Sequence, residues 1–295
     1  MRRYFKVAEH VFGIGLPDGD PLWGSLGQYE PFLTDSRGDL LFELDLVEDL
    51  GDPEKGETLY DEPSVPGEAE IRLYRSGSGY LFETSPGPGV PVCARILAGG
   101  DFRKASLCIS ASSPRARLFS LNNAAMLLYA FASAPLRTLE MHASMVGNSG
   151  KAFLFLAPSG TGKSTHSRMW LENVPGTELM NDDNPVVRIW PDGRAVAYGS
   201  PWSGKTPCYR NVEAPVGAFV KISRCTENRI ARLDVFESYA ELYSSSSGLK
   251  TDPAMADALH ETLEAAATTV PCYVMDCLPD AAAALVCSKE LLKWT

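Results

Sequence analysis

Residues 153–164, Phe-Leu-Phe-Leu-Ala-Pro-Ser-Gly-Thr-Gly-Lys-Ser, constrain the fold of this chain more than any other stretch. The opening apolar residues suit a strand buried on both faces, which reads as a continuous hydrophobic run instead of an alternating one. The remainder follows the pattern G-x-x-x-x-G-K-[ST] with one departure, Ala157 in place of the first glycine. Small residues let successive backbone N–H groups turn toward an anion, and the helix that follows adds the positive end of its dipole. The spacing predicts a strand over 152–157, a loop, and a helix over 164–171, hence an α/β domain. In such a loop Ala157, Pro158, Ser159, Gly160, Thr161 and Gly162, with Lys163, Ser164 and Thr165, surround the phosphates of a nucleotide. Lys163 reaches the terminal phosphates and the Ser164 hydroxyl ligates Mg2+. ATP and Mg2+ are the expected cofactors, and Lys163 is expected to face solvent.

A second chemical cluster follows at Asn181-Asp182-Asp183-Asn184, after the apolar pair Leu179-Met180. The interval from Ser164 accommodates one helix, one turn and one short strand. Adjacent acids at a strand end divide two duties, one completing Mg2+ coordination and the other accepting a proton from an attacking hydroxyl. His142 lies in a strand-like run, 138–146, joined to 152–157 by Gly147-Asn148-Ser149-Gly150, the turn residues of a hairpin. It therefore sits on the strand beside the one that feeds the loop. His166, on the first turn after the loop, reads as structural or surface. Trp202 and Lys205 suit a wall and a cation for an acidic or phosphorylated group, and Arg224, Arg229 and Arg232 offer cations for a phosphoryl transition state.

The rest of the chain bounds the answer. Residues 4–112 read as short strands, at 4–16, 40–46, 69–74, 80–83, 90–97 and 105–110, with a surface loop over 51–67. Apolar residues at steps of three and four over 117–134 predict a helix ended by Pro135. Further helices are expected over 252–268 and 279–293, around a strand at 271–275. The expected organisation is a β-rich domain over 1–111 and a nucleotide-binding α/β domain over 112–295. Twenty-seven Lys plus Arg against 37 Asp plus Glu give a net charge of −10, which argues against a nucleic-acid partner. The longest apolar stretch, 124–136, is interrupted by Ser133 and Pro135 and falls short of the ~20 residues that cross a bilayer. The N-terminus lacks the apolar core of a secretory signal, so a cytoplasmic protein is expected. Seven cysteines without a C-x-x-C pair suit buried, reduced thiols.

Met141-His142 before a strand, then Ala-Pro-Ser-Gly-Thr-Gly-Lys-Ser, then Asn-Asp-Asp, taken in that order, resemble the C-terminal domain of HPr kinase/phosphorylase and its shorter relatives. That group shares the nucleotide-binding fold of ATP-dependent phosphoenolpyruvate carboxykinase. The resemblance implies that His142, Lys163, Ser164, Asp182 and Asp183 form the site, with Asp182 the metal ligand and Asp183 the base, or the reverse. It implies phosphoryl transfer to a hydroxyl, of a serine on a protein or peptide. A small hydroxyl-bearing metabolite, a carboxykinase-like reaction, or a nucleotide sensor without catalysis are the alternatives. Residues 198–210 depart from the family's signature after the acidic pair, and residues 1–111 do not match its N-terminal domain.

Overall fold

The computed structural model describes residues 1–61 and 69–294. Contacts divide the chain into two compact units, Met1–Ser133 with Leu249–Ala256, and Ala134–Gly248 with Asp257–Thr295. Both are built on mixed sheets. The expected boundary at 111/112 and the observed one at 133/134 differ by a single helix, which packs with the first unit.

That unit holds β1 (Arg2–Val7), β2 (His10–Gly15), β3 (Leu40–Val47), β4 (Thr58–Asp61), β5 (Glu70–Ser76), β6 (Gly79–Ser85), β7 (Ala94–Ala98) and β8 (Lys104–Ile109). They form one sheet in the order β1-β2-β3-β8-β7-β6-β5-β4. Helix α1 (Pro114–Ser133) starts with proline at its first position, where no N–H is needed, after Ser113, whose hydroxyl accepts from the Ala116 N–H. Tyr129 ties it to the sheet, edge-on to Phe12 and donating its hydroxyl to the Val7 carbonyl at 3.0 Å. The run 4–16 is a hairpin and not one strand, because Ala8 and Glu9 turn it with φ of 47° and 64°. The expected loop over 51–67 contains β4; its residues 62–67 lie outside the described residues.

The second unit begins with β9 (Thr138–Met141), β10 (Ala143–Asn148), β11 (Lys151–Leu156), α2 (Lys163–Asn173), β12 (Glu178–Asn181), β13 (Val186–Ile189) and β14 (Ala195–Tyr198). It continues with β15 (Glu213–Arg224), β16 (Arg229–Arg232), α3 (Val235–Ser245), β17 (Ser246–Ser247), α4 (Pro253–Thr269, from Asp257 onward), β18 (Cys272–Cys277) and α5 (Ala281–Leu291). The sheet order is β12-β10-β11-β15-β14-β13-β9-β17, with β18 also paired to β15 and to β16. β11, β15 and β18 run parallel at its centre. β11 shows why the sequence reads as an unbroken apolar run. Phe153 and Phe155 enter a cluster with Trp170 of α2 and Ala284 and Cys287 of α5. Leu154 and Leu156 enter a cluster on the opposite face with Leu259 and Leu263 of α4. Five of the seven cysteines are buried thiols. No helix among the described residues is long and apolar enough to cross a membrane.

Candidate active site

β11 ends at Leu156, and the chain passes through residues 157–162 into α2 at Lys163. Ligands of open parallel sheets bind at the carboxyl ends of the strands, and this loop lies at one of them. Gly160 and Gly162 hold φ of 74° and 129°, values that side chains rarely adopt, so glycine is needed at both. Ala157 keeps a negative φ and buries its methyl in the cluster around Trp170. The glycine usual at that position is therefore not demanded by the backbone. Gly162 is the N-cap of α2 and offers no side-chain acceptor to the first turn, whose N–H groups lack intrahelical partners. Arg224, at the end of β15, donates to the carbonyls of Thr161, at 2.9 Å, and Gly160, and so holds the loop from outside.

Lys163 does not face solvent as expected but is 7% exposed. Its ammonium donates to the Ala157 carbonyl at 2.9 Å and lies 2.8 Å from His142 Nε2, which folds the side chain back under the loop. His142 is placed differently from its expected position within a strand. It is the break between β9, which pairs with β13 and β17, and β10, which pairs with β11 and β12. Its backbone N–H donates to Ser245 and that of Ala143 to Asp183. The ring is thus presented between two parts of the sheet, with Nε2 also 3.4 Å from Asp183 Oδ1.

Asp182 and Asp183 follow the end of β12, as the spacing predicts. Asn181 sets their geometry. Its Oδ1 accepts from the N–H groups of Asp183 and Asn184, both at 2.9 Å, while its Nδ2 donates to the carbonyl of Trp202 at 3.0 Å and to Ser200 Oγ at 3.2 Å. Asp182 is buried and accepts from Ser144 Oγ at 2.9 Å and the Thr206 N–H at 3.2 Å. It lines a small cleft of about 210 Å3 together with Ser164, Thr165 and Thr206. Gly204 is packed on the acids: a Cβ there would lie 3.2 Å from the Asp182 carbonyl and from Asp183 Cβ.

The remaining candidates fall elsewhere. Trp202 is 3% exposed and its carbonyl braces Asn181, so its role is structural, while Lys205 is exposed at the surface. Arg229 pairs with Asp276 at 3.4 Å, and Arg232 lines a depression with Lys151, at the opposite end of β11. His166 is buried, and its Nε2 accepts the indole N–H of Trp170 at 3.2 Å. Burial holds its pKa down at about 4. Glu140 of β9 is a feature that the sequence reading did not single out. It is wholly buried, and burial pushes its carboxyl up to about 7. Its only signal was an acid inside the apolar run Leu139-Glu140-Met141.

No family model matches the chain, and no curated protein matches it. Among solved structures, the chain is similar to the HPr(Ser) kinase/phosphatase of Coxiella burnetii at 11% identity, over 52% of this chain and 97% of that one, with a TM-score of 0.31.

Proposed function

We propose that this chain is a phosphotransferase that moves the terminal phosphoryl group of ATP, with Mg2+, to a hydroxyl carried by a protein or peptide, a serine in the simplest case. The observation that carries the reading is the continuous chain of contacts Ala157–Lys163–His142–Asp183 beneath a loop that ends in a helix N-terminus. Residues 157–162 and the first turn of α2 hold the phosphates, and Lys163 supplies the charge. The metal fits the donors present. Ser164 and Asp182 share one cleft and offer hard oxygen ligands, and phosphate and water oxygens complete such a shell. Bound there, Mg2+ neutralises charge on the phosphates.

The protein's own part is positioning and proton transfer. The acceptor oxygen forms a bond to the terminal phosphorus, the bond to the bridging oxygen breaks with its electron pair, and Asp183 takes the hydroxyl proton. Lysine has only protons to give, so His142 Nε2 accepts from Lys163 in the contact seen here, which leaves Nε2 without a proton for Asp183. Once phosphate draws Lys163 away, His142 Nε2 is free to carry a proton and pair with Asp183. The side chains of Asp183 and His142 are 33% and 39% exposed, open enough for an acceptor presented on a chain.

Titration calorimetry with a non-hydrolysable ATP analogue tests this, with and without Mg2+, beside Lys163→Met. Mg2+-dependent binding that the folded variant loses is expected. Absence of binding by the parent overturns the reading.

A further inference from the structure

Two serine hydroxyls are buried where α2 covers the second sheet. Ser144 of β10 shares a face with Val146, two residues on, and stands opposite Phe155 of β11; both of these belong to the apolar cluster around Trp170. Ser167 meets it from α2, and the two residues are 0% and 1% exposed. A buried hydroxyl costs free energy unless it is hydrogen-bonded, a cost that small apolar side chains at both positions avoid.

The two oxygens are 2.6 Å apart, and Ser144 Oγ donates to Asp182 Oδ1 at 2.9 Å. Proton counting gives this chain a direction. An ionised carboxylate only accepts, so the single Ser144 proton goes to Asp182 and the Ser167 proton goes to Ser144 Oγ. The second carboxylate oxygen, Oδ2, accepts from the Thr206 N–H at 3.2 Å. Each oxygen keeps a further lone pair for the cleft that Asp182 shares with Ser164 and Ser167. The chain also starts on the helix that carries the other metal-binding oxygen. Ser164 and Ser167 are three residues apart on α2, neighbours on its surface separated by about 4.5 Å of rise. One turn of helix therefore fixes Ser164 directly and the Asp182 carboxylate through Ser144.

We infer that Ser144 and Ser167 are positioning residues of the metal site: the hydroxyl relay from Ser167 through Ser144 to Asp182 sets the spacing of the two Mg2+ ligands before the ion arrives. The inference rests on the phosphotransferase reading and adds to it two residues that act on the metal only through Asp182.

Partners that orient a metal ligand from behind are worth about tenfold to a hundredfold in metal affinity. Calorimetry with a non-hydrolysable ATP analogue, at saturating Mg2+ and without it, reads that contribution as the gain in analogue affinity that the metal confers. In Ser144→Ala the gain is expected to fall about tenfold or more below the parent's, while metal-free affinity stays within about twofold. Ser167→Ala is expected to fall between that variant and the parent. Because Ser167 acts through Ser144, the double variant is expected to match Ser144→Ala within about twofold. Variants that keep the parent's gain overturn the relay and leave the phosphotransferase reading standing. Equal loss with and without Mg2+ also overturns it, because the hydroxyls then serve only to hold α2 on the sheet, and so does a double variant whose losses add. If the parent binds no analogue, or gains nothing from Mg2+, both readings fall together.

Discussion

Glu140 gives the sharpest test of the energetics around the site. It lies out of water on β9, between β13 and β17, to which its strand is paired. Burial raises its carboxyl from 4.5 to about 7; the Ser247 hydroxyl lowers it in part, and the charge of Asp183 raises it further. Between those values the folded chain holds a proton that the unfolded chain has lost, so stability falls as pH rises through that window. The cost is complete above the folded value and amounts to about 3 kcal/mol. Glu140→Gln keeps the shape and removes the titration. In urea unfolding, the variant is expected to lie within about 1 kcal/mol of the parent near pH 5 and to exceed it by about 3 kcal/mol near pH 8. His166 acts in the opposite sense. Its pKa is lowered from 6.5 to about 4, so its contribution is present above 6.5 and is lost as pH falls toward 4. The two slopes oppose each other between 4.5 and 6.5, and the variant should expose the acid loss that the parent conceals. Parallel curves for parent and variant over the whole range would refute the argument, since Glu140 would then be charged in the fold at no cost.

Two further substitutions probe the acidic pair. Asn181→Ala leaves the part-buried N–H groups of Asp183 and Asn184 without their acceptor and the Trp202 carbonyl and Ser200 hydroxyl without the Nδ2 donor, and is expected to cost about 3 kcal/mol, read as a lowered Tm by calorimetry; a loss below about 1 kcal/mol contradicts a bracing role. Gly204→Ala adds a methyl 3.2 Å from the Asp182 carbonyl and Asp183 Cβ, which Asp183 must move to accept. A displacement of that kind should lower the proposed phosphoryl transfer by about tenfold to a hundredfold while analogue binding stays within about twofold, and unaltered turnover would remove Asp183 from the proposed mechanism.

The parts of this fold that were legible in the sequence are those set by neighbours along the chain. The unbroken run 153–156 required a strand covered on both faces, and clusters on both faces cover it. Ser149 and Gly150, with φ of 49° and 73°, make the tight turn that joins β10 to β11 at the expected place. Glycine at 160 and 162 is explained by the backbone, and the departure at 157 is explained by the same test. What was not legible depends on residues far apart in the chain. The turn at Ala8-Glu9 carries no glycine or asparagine and is imposed by the pairing of β1 with β2. His142 looked like a strand residue because its neighbours are apolar on both sides. It leaves the strand because β9 is drawn to β13 and β17 while β10 is drawn to β11 and β12, and the carbonyls of Asp183 and Ser245 take the amides at the break. The same break brings the imidazole to Lys163, and the contact with Lys163 explains why that lysine is buried instead of solvated. Burial of Lys163 and exit of His142 from its strand are therefore one event, set by strand pairings across 36 to 105 residues (Met145 with Asn181, Met141 with Ser246), which no local pattern encodes.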